Sequence, residues 1–302
     1  MSAATDLSVD VGGLRWPTPV GLASGCCGYG RELEDRIDGV DLGKVGAIFT
    51  KGLSLEPREG NAPEWASNPP GRITEVPGAM INAIGLANPG VDAFISDKLP
   101  WLAQWRERLG GRVIANIFGE SVEEYAELAR RLDTAEGVDG VELNLSCPNV
   151  EKGGLEFGQD AEACARVTAA VREVTGKFVA VKLSPACDVA ALSAAAEREG
   201  AQALSISNTL PVSQAALALD PVPELPSMGG LSGPVLRPLA LEATRNARAA
   251  CSLAIIGIGG IATADHAREF FAAGACAVQV GTALFGDPDA CAHICRGISV
   301  PV

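Results

Sequence analysis

Eight short segments, apolar at nearly every position, recur along the chain at 20–24, 47–51, 113–117, 141–146, 178–183, 203–207, 254–258 and 277–280. Amphipathic helical patterns separate most of them, as at 122–132, 161–174, 189–199, 238–249 and 263–273. Continuous rather than alternating hydrophobicity predicts strands buried on both faces, the mark of a parallel sheet with helices outside it. Eight β/α units, with no change of composition midway, predict a (β/α)8 TIM barrel of the α/β class. An open doubly wound sheet is the alternative. Ahead of the units, residues 7–11 and 14–16 flank Gly12-Gly13 and predict a short N-terminal β-hairpin. The remaining stretches read as loops inserted at the C-terminal face. Ser121 with Glu124 three residues on, and Thr263 before Ala264, read as helix starts.

A 302-residue chain of this pattern is expected to form one barrel domain over 1–302. Hydrophobic residues at 47% and charged residues at 20% exclude a disordered chain. The net charge of -13 argues against nucleic acid and anionic membrane surfaces as partners, though lysines in a pocket still allow a small anion. His266 and His293 are the only histidines, so a three-histidine metal site is excluded, and the expectation is no metal. Nine cysteines form no CxxC pair, which points to a reducing, cytoplasmic setting without disulfides or an iron–sulfur cluster in this chain. The N-terminus lacks the pattern of a signal peptide, and no apolar run approaches the roughly 18 residues of a membrane span.

Barrel enzymes place their chemistry where strands end and βα loops begin. Those ends here carry Ser24-Gly25, Lys51-Gly52, Asn116, Asn144, Lys182, Asn208, Gly259-Gly260 and Gly281-Thr282. Glycines after the last two strands predict a phosphate cradle of backbone N–H groups, with ordinary tight turns as the alternative. Lys51 and Lys182 each close an apolar run and need an anionic or electron-rich partner unless they reach the rim. Asn82, Asn116, Asn144, Asn149 and Asn208 offer paired donors and acceptors to the edge of an amide-like ring. Cys147 is the one cysteine placed on a βα loop among polar residues, where a thiol can act as base or nucleophile.

The segment Asn144-Leu-Ser-Cys147-Pro-Asn149-Val150, followed by Gly153-Gly154 and Phe157-Gly158, resembles the catalytic loop of class 1 dihydroorotate dehydrogenases. Asn82-Ala-Ile-Gly-Leu-Ala-Asn-Pro-Gly90, Thr50-Lys-Gly-Leu-Ser-Leu-Glu-Pro-Arg58 and Gly229-Gly-Leu-Ser-Gly-Pro234 resemble the class 1B catalytic subunit. The likeness runs from about residue 19 to the end. It implies an FMN-dependent oxidation of (S)-dihydroorotate to orotate in de novo UMP synthesis. Cys147 would remove the C5 proton and the flavin would take hydride from C6. Lys51, Asn82, Ala83, Ile84, Gly85, Leu86, Asn144, Asn149, Asn208 and Thr209 would hold the substrate. Ser24, Lys51, Gly52, Asn116, Asn144, Lys182, Ser207, Gly233, Gly259, Gly260, Gly281 and Thr282 would hold FMN. The resemblance also implies a homodimer and, for class 1B, a second subunit carrying FAD and an iron–sulfur cluster. Three places depart from the family pattern: an insertion at 64–70, an atypical segment at 211–228, and Cys26-Cys27. The first two fall on loops by the substrate mouth and leave the electron acceptor open. A dihydropyrimidine dehydrogenase-type subunit and a phosphosugar isomerase or synthase barrel are the competing readings. The former typically has His where this chain has Asn149.

Overall fold

The computed structural model describes residues 6–36, 40–61, 72–145, 157–213 and 228–299. Eight parallel strands close into a barrel in sequence order: β1 (Val20–Leu22), β2 (Ala47–Phe49), β3 (Arg112–Ile117), β4 (Gly140–Asn144), β5 (Phe178–Leu183), β6 (Ala203–Ile206), β7 (Ala254–Ile258) and β8 (Ala277–Val280). A helix follows each strand: α1 (Arg31–Arg36), α2 (Leu99–Leu109), α3 (Val122–Asp133), α4 (Ala161–Val174), α5 (Val189–Arg198), α6 (Arg237–Ala250), α7 (Ala264–Ala272) and α8 (Ala290–Ile298). The predicted barrel is therefore the observed one. Among the described residues, no helix is long and apolar enough to cross a membrane.

The predicted helix starts hold in part. Thr263 accepts from the His266 N–H at 3.2 Å and Ser121 from the Glu124 N–H at 3.3 Å. The Glu124 carboxylate returns to the Glu120 N–H rather than to Ser121, so the reciprocal box is only half formed. Asp160 and Asp188 cap α4 and α5 in the same manner.

Successive strand residues face opposite sides, so alternate positions line the barrel. Ala47, Phe49, Ile114, Phe178, Ala180, Ala203, Ile256 and Ala277 pack together as an interior core, separate from the larger shell between strands and helices. The N-terminal hairpin, Val9–Val11 paired antiparallel with Leu14–Trp16, belongs to this core through Val11 and Trp16. Trp16 is fully buried, its ring 5.7 Å from that of Phe49, and it plugs the bottom of the barrel.

At the opposite end the inserted segments are not merely loops. Four short strands there form an antiparallel sheet in the order Leu210–Ser213, Met228–Ser232, Ala79–Asn82, Ile73–Val76. Two come from the β2–α2 connection and two from the β6–α6 connection. Ile81 and Leu231 form a small core of their own beneath it. The insertion at 64–70, and most of 211–228, lie outside the described residues.

Removal of the Trp16 side chain should cost about 3–5 kcal/mol, because the cavity left at the barrel base has rigid walls. The indole N–H has no hydrogen-bond partner, so Trp16→Phe should be far milder than Trp16→Ala. Urea denaturation of the two variants checks the difference; equal losses would mean that the ring does not plug the base.

Candidate functional site

Going up the barrel, the inward positions turn from apolar to polar. Phe178 and Ala180 lead to Lys182 on β5, Ala203 to Ser205 and Ser207 on β6, Ile114 to Asn116 on β3, and Ala277 to Gln279 on β8. Glu142 on β4 lies at the centre of this layer and is fully buried. Asn116 Nδ2 donates to Glu142 Oε2 at 2.5 Å, and Gln279 Nε2 donates to Glu142 Oε1 at 3.2 Å. Gln279 Nε2 also reaches Ser205 Oγ at 3.3 Å. Lys182 Nζ, itself buried, lies 3.6 Å from Glu142 Oε2. An isolated buried carboxylate would be strongly disfavoured; two amide donors and an ammonium make it tenable. Two acceptors in this layer, Asn116 Oδ1 and Gln279 Oε1, have no hydrogen-bond partner among the described residues.

A second set of polar groups runs from the top of β4 into the antiparallel sheet. Asn208 Nδ2 donates to Asn144 Oδ1 at 3.1 Å, and the Thr209 N–H donates to Asn208 Oδ1 at 2.8 Å. Tyr125 from α3 steadies this end by donating its hydroxyl to the Asn144 carbonyl at 2.8 Å. Gly230 stands between Thr209 and Asn82: a Cβ there would lie 2.5 Å from Thr209 Oγ1 and 3.2 Å from Asn82 Nδ2. Asn82 Nδ2 donates to the Gly230 carbonyl at 3.1 Å. The sheet thus brings Asn82, Asn144, Asn208 and Thr209 together from three βα connections.

The 82–86 segment is held in an unusual shape. Leu86 has φ of 59°, a left-handed conformation rare for such a residue, next to Gly85 at 71°. Asn88 clamps it, donating from Nδ2 to the Leu86 carbonyl and to Ser54 Oγ, both at 2.9 Å. Backbone of this kind is a feature of ligand-binding sites.

Lys51 ends β2's inward row after Ala47 and Phe49. It is half-buried, and no carboxylate among the described residues pairs with it. Burial first, and then the Arg72 guanidinium, hold its pKa below the usual lysine range, against an opposing pull from Glu32. A desolvated cation beside another cation favours an anion. Gly52 follows, and a Cβ on it would meet Asn116 Oδ1 at 3.0 Å, so glycine keeps the amide oxygen uncovered on that side.

The glycines after β7 and β8, where a phosphate cradle is expected, are also needed for packing. Gly259 and Gly260 have φ of 129° and 65°. A Cβ on Gly260 would lie 2.9 Å from Arg237 Cβ and from the Gly233 carbonyl; one on Gly259 would lie 2.7 Å from Ala240 Cβ. Their close approach is to the start of α6 and the Gly233 turn, within the protein itself. Glycine is required there by packing, whatever the turn binds. The turn after β8 is more open: a Cβ on Gly281 would lie 3.3 Å from Ala23 Cβ and Cys26 Sγ. Thr282 Oγ1 donates to Ser232 Oγ at 2.9 Å, tying this turn to the antiparallel sheet. Burial pushes the Cys26 thiol up to about 11, against the nearby Lys182 charge. Ser207 is buried at the end of β6, its N–H donating to the Ile258 carbonyl at 2.8 Å, and Ser24 stands half-buried after β1. Cys147 and Asn149 lie outside the described residues.

Comparison with known proteins decides the family. The model for the dihydroorotate dehydrogenase family matches residues 6–300. The chain belongs to the dihydroorotate dehydrogenase family. Proteins named dihydroorotate dehydrogenase B (NAD(+)), catalytic subunit, are similar over nearly their whole length. The one from Geotalea daltonii is 47% identical over 301 residues, covering 98% of this chain and 93% of that protein. Those from Pelobacter propionicus and Geobacter sulfurreducens are also 47% identical, covering 97% and 96% of this chain and 92% and 90% of theirs. The chain is accordingly an oxidoreductase of a flavin-dependent dehydrogenase family.

Sequence reasoning missed Glu142, Gln279, Ser205 and Gly230 as members of a dihydroorotate dehydrogenase site. A charged or amide residue on the inward parity of an apolar strand was the available signal for the first two.

Gly260→Ala should lower stability by about 1–3 kcal/mol without any ligand, since it forces a side chain into left-handed backbone and into Arg237 and Gly233. Urea denaturation of ligand-free protein tests this. An unchanged midpoint would mean that the turn has room and that its glycine serves only a ligand.

Proposed function

We propose that the chain, as one barrel domain spanning 1–302, oxidises (S)-dihydroorotate to orotate with FMN in de novo UMP synthesis. The observation that carries the reading is the continuous polar set Asn144, Asn208, Thr209 and Asn82, together with Lys51, with which no carboxylate among the described residues pairs. A planar substrate with a carboxylate and two ring amides needs such a surface: amide side chains for its edge and a cation for its charge. The deeper layer fits a flavin. Asn116 Oδ1 and Gln279 Oε1 are buried acceptors left without a donor, and a flavin ring has both an N–H and carbonyl oxygens. Lys182 supplies a buried positive charge where negative charge gathers on reduction.

In this reading Ser24, Lys51, Gly52, Asn116, Asn144, Lys182 and Ser207 face the ring and ribityl chain of FMN. Gly233, Gly259, Gly260, Gly281 and Thr282 form the phosphate end. Lys51, Asn82, Ala83, Ile84, Gly85, Leu86, Asn144, Asn149, Asn208 and Thr209 hold the substrate. The chemistry that bound FMN supplies is acceptance of a hydride from substrate C6. Cys147, as thiolate, takes the C5 proton, and the electron pair of that C–H bond becomes the C5=C6 double bond. Asn208, fixed by Asn144, keeps the substrate ring in one orientation throughout.

The relatives' designation as catalytic subunits that use NAD(+) supports a second subunit here; FAD and an iron–sulfur cluster on that subunit, and a homodimer of this chain, are proposed from the class 1B resemblance alone. A cleft of about 480 Å³ beside the mouth, between Ile73, Met80, Ile84 and Phe285, supports access to the site from that side. Phe285 is 47% exposed there. The expected location is the cytoplasm.

The purified chain should carry a flavin spectrum that dihydroorotate bleaches and dihydrouracil does not. Bleaching should accelerate as pH rises through the Cys147 thiol pKa, near 8.5 for a free thiol. Cys147→Ala should slow it roughly 10²–10⁴-fold while orotate still perturbs the spectrum. Stopped-flow absorbance decides; bleaching at the wild-type rate in this variant would remove Cys147 from the mechanism.

Gly230→Ala should push Thr209 and Asn82 apart and weaken orotate binding about tenfold, or about 1.4 kcal/mol, with FMN content retained. Spectral titration measures it, and unaltered affinity would place the substrate elsewhere.

A further inference from the structure

Among the described residues, Glu142 is the one buried charged group of the barrel interior to which the proposed chemistry gives no part. It cannot touch a ligand in the way Asn82 or Lys51 can, because it is fully buried beneath the mouth. It nevertheless holds three groups of the layer facing the flavin: the Asn116 amide at 2.5 Å, the Gln279 amide at 3.2 Å and the Lys182 ammonium at 3.6 Å. In a low-dielectric interior a fixed charge acts on its neighbours with little screening.

Resting on the flavin reading above, we infer that Glu142 is a positioning residue that sets the reduction potential of the bound flavin. It fixes the Lys182 ammonium in place and offsets part of that group's charge. Lys182 favours the reduced, anionic ring; Glu142 opposes it. The pair together keeps the flavin harder to reduce than Lys182 alone would, while holding Asn116 and Gln279 with their free oxygens available to the ring.

Glu142→Gln removes the charge and keeps the shape. Its new N–H₂ group can be met by Asn116 or Gln279 turning over, since both carry an unused amide oxygen. The potential of bound FMN, measured by equilibration with a reference dye, should rise. The expected change is at least tenfold in the ratio of reduced to oxidised flavin, or about 30 mV for a two-electron couple. Glu142→Asp, which draws the carboxylate back from Lys182, should give a smaller rise, and it carries the test if Glu142→Gln does not retain flavin. In the double variant Glu142→Gln, Lys182→Met the potential should return close to the wild-type value, because the two opposing charges are removed together. A site merely loosened by mutation would remain displaced in the double variant. A potential that is flat or lower in Glu142→Gln, or a rise that persists without Lys182, overturns the inference. Wild-type protein unable to bind FMN would instead overturn the proposed function, and this inference with it.

Discussion

A carboxylate with no access to water governs this barrel. Glu142 must be met by donors from other strands, and they come from β3, β5 and β8. That need fixes register as well as charge. Asn116 is the lateral partner of Glu142 across β3 and β4, and Lys182 lies opposite Asn144 across β4 and β5. A one-residue slip of β4 would turn Val141 or Leu143 into the polar layer and drive Glu142 into the apolar shell beneath the helices. The apolar base, closed by Trp16, depends on filled volume; the polar layer above it depends on correct pairing.

Upon that layer the mouth is assembled by a second, smaller sheet. The strand Met228–Ser232 touches everything that matters there: Gly230 lies against Asn82 and Thr209, and Ser232 meets Thr282 on the β8 turn. The turn that follows, at Gly233, supports Gly260. Residues proposed for the substrate side and for the phosphate side are therefore referred to one strand. Rigid support of this kind keeps binding groups within the small tolerances that catalysis needs.

The barrel was legible because strands buried on both faces cannot hide: Val113 to Ile117 and Phe178 to Leu183 read as continuous apolar runs. The same continuity concealed the polar layer. Gln279 between Val278 and Val280, and Glu142 between Val141 and Leu143, look like interruptions until the parity of the barrel is known. The mouth sheet was read as loops because its strands are only four or five residues long, too short for an apolar alternation to be counted, and one of them carries two adjacent glycines. The glycines at 259 and 260 were correctly marked as places of close approach, but the approaching atoms belong to Arg237, Ala240 and Gly233. Cys147 was singled out by its place on a polar βα loop and Asn149 as one of the asparagines near strand ends, while their particular roles rest on the sequence resemblance.

Ser213 and Met228 face each other as the last register pair of the two strands that they end. Both ends of the connection between them are thus pinned by backbone pairing below it. Length and composition can drift in residues 214–227 without moving Thr209 or Gly230. The paired base of this connection is committed to the shape of the site, because Thr209 and Gly230 are set by the same register. Of the atypical segment at 211–228, residues 211–213 and 228 belong to that base, so a change at any of them reaches the site through backbone pairing alone.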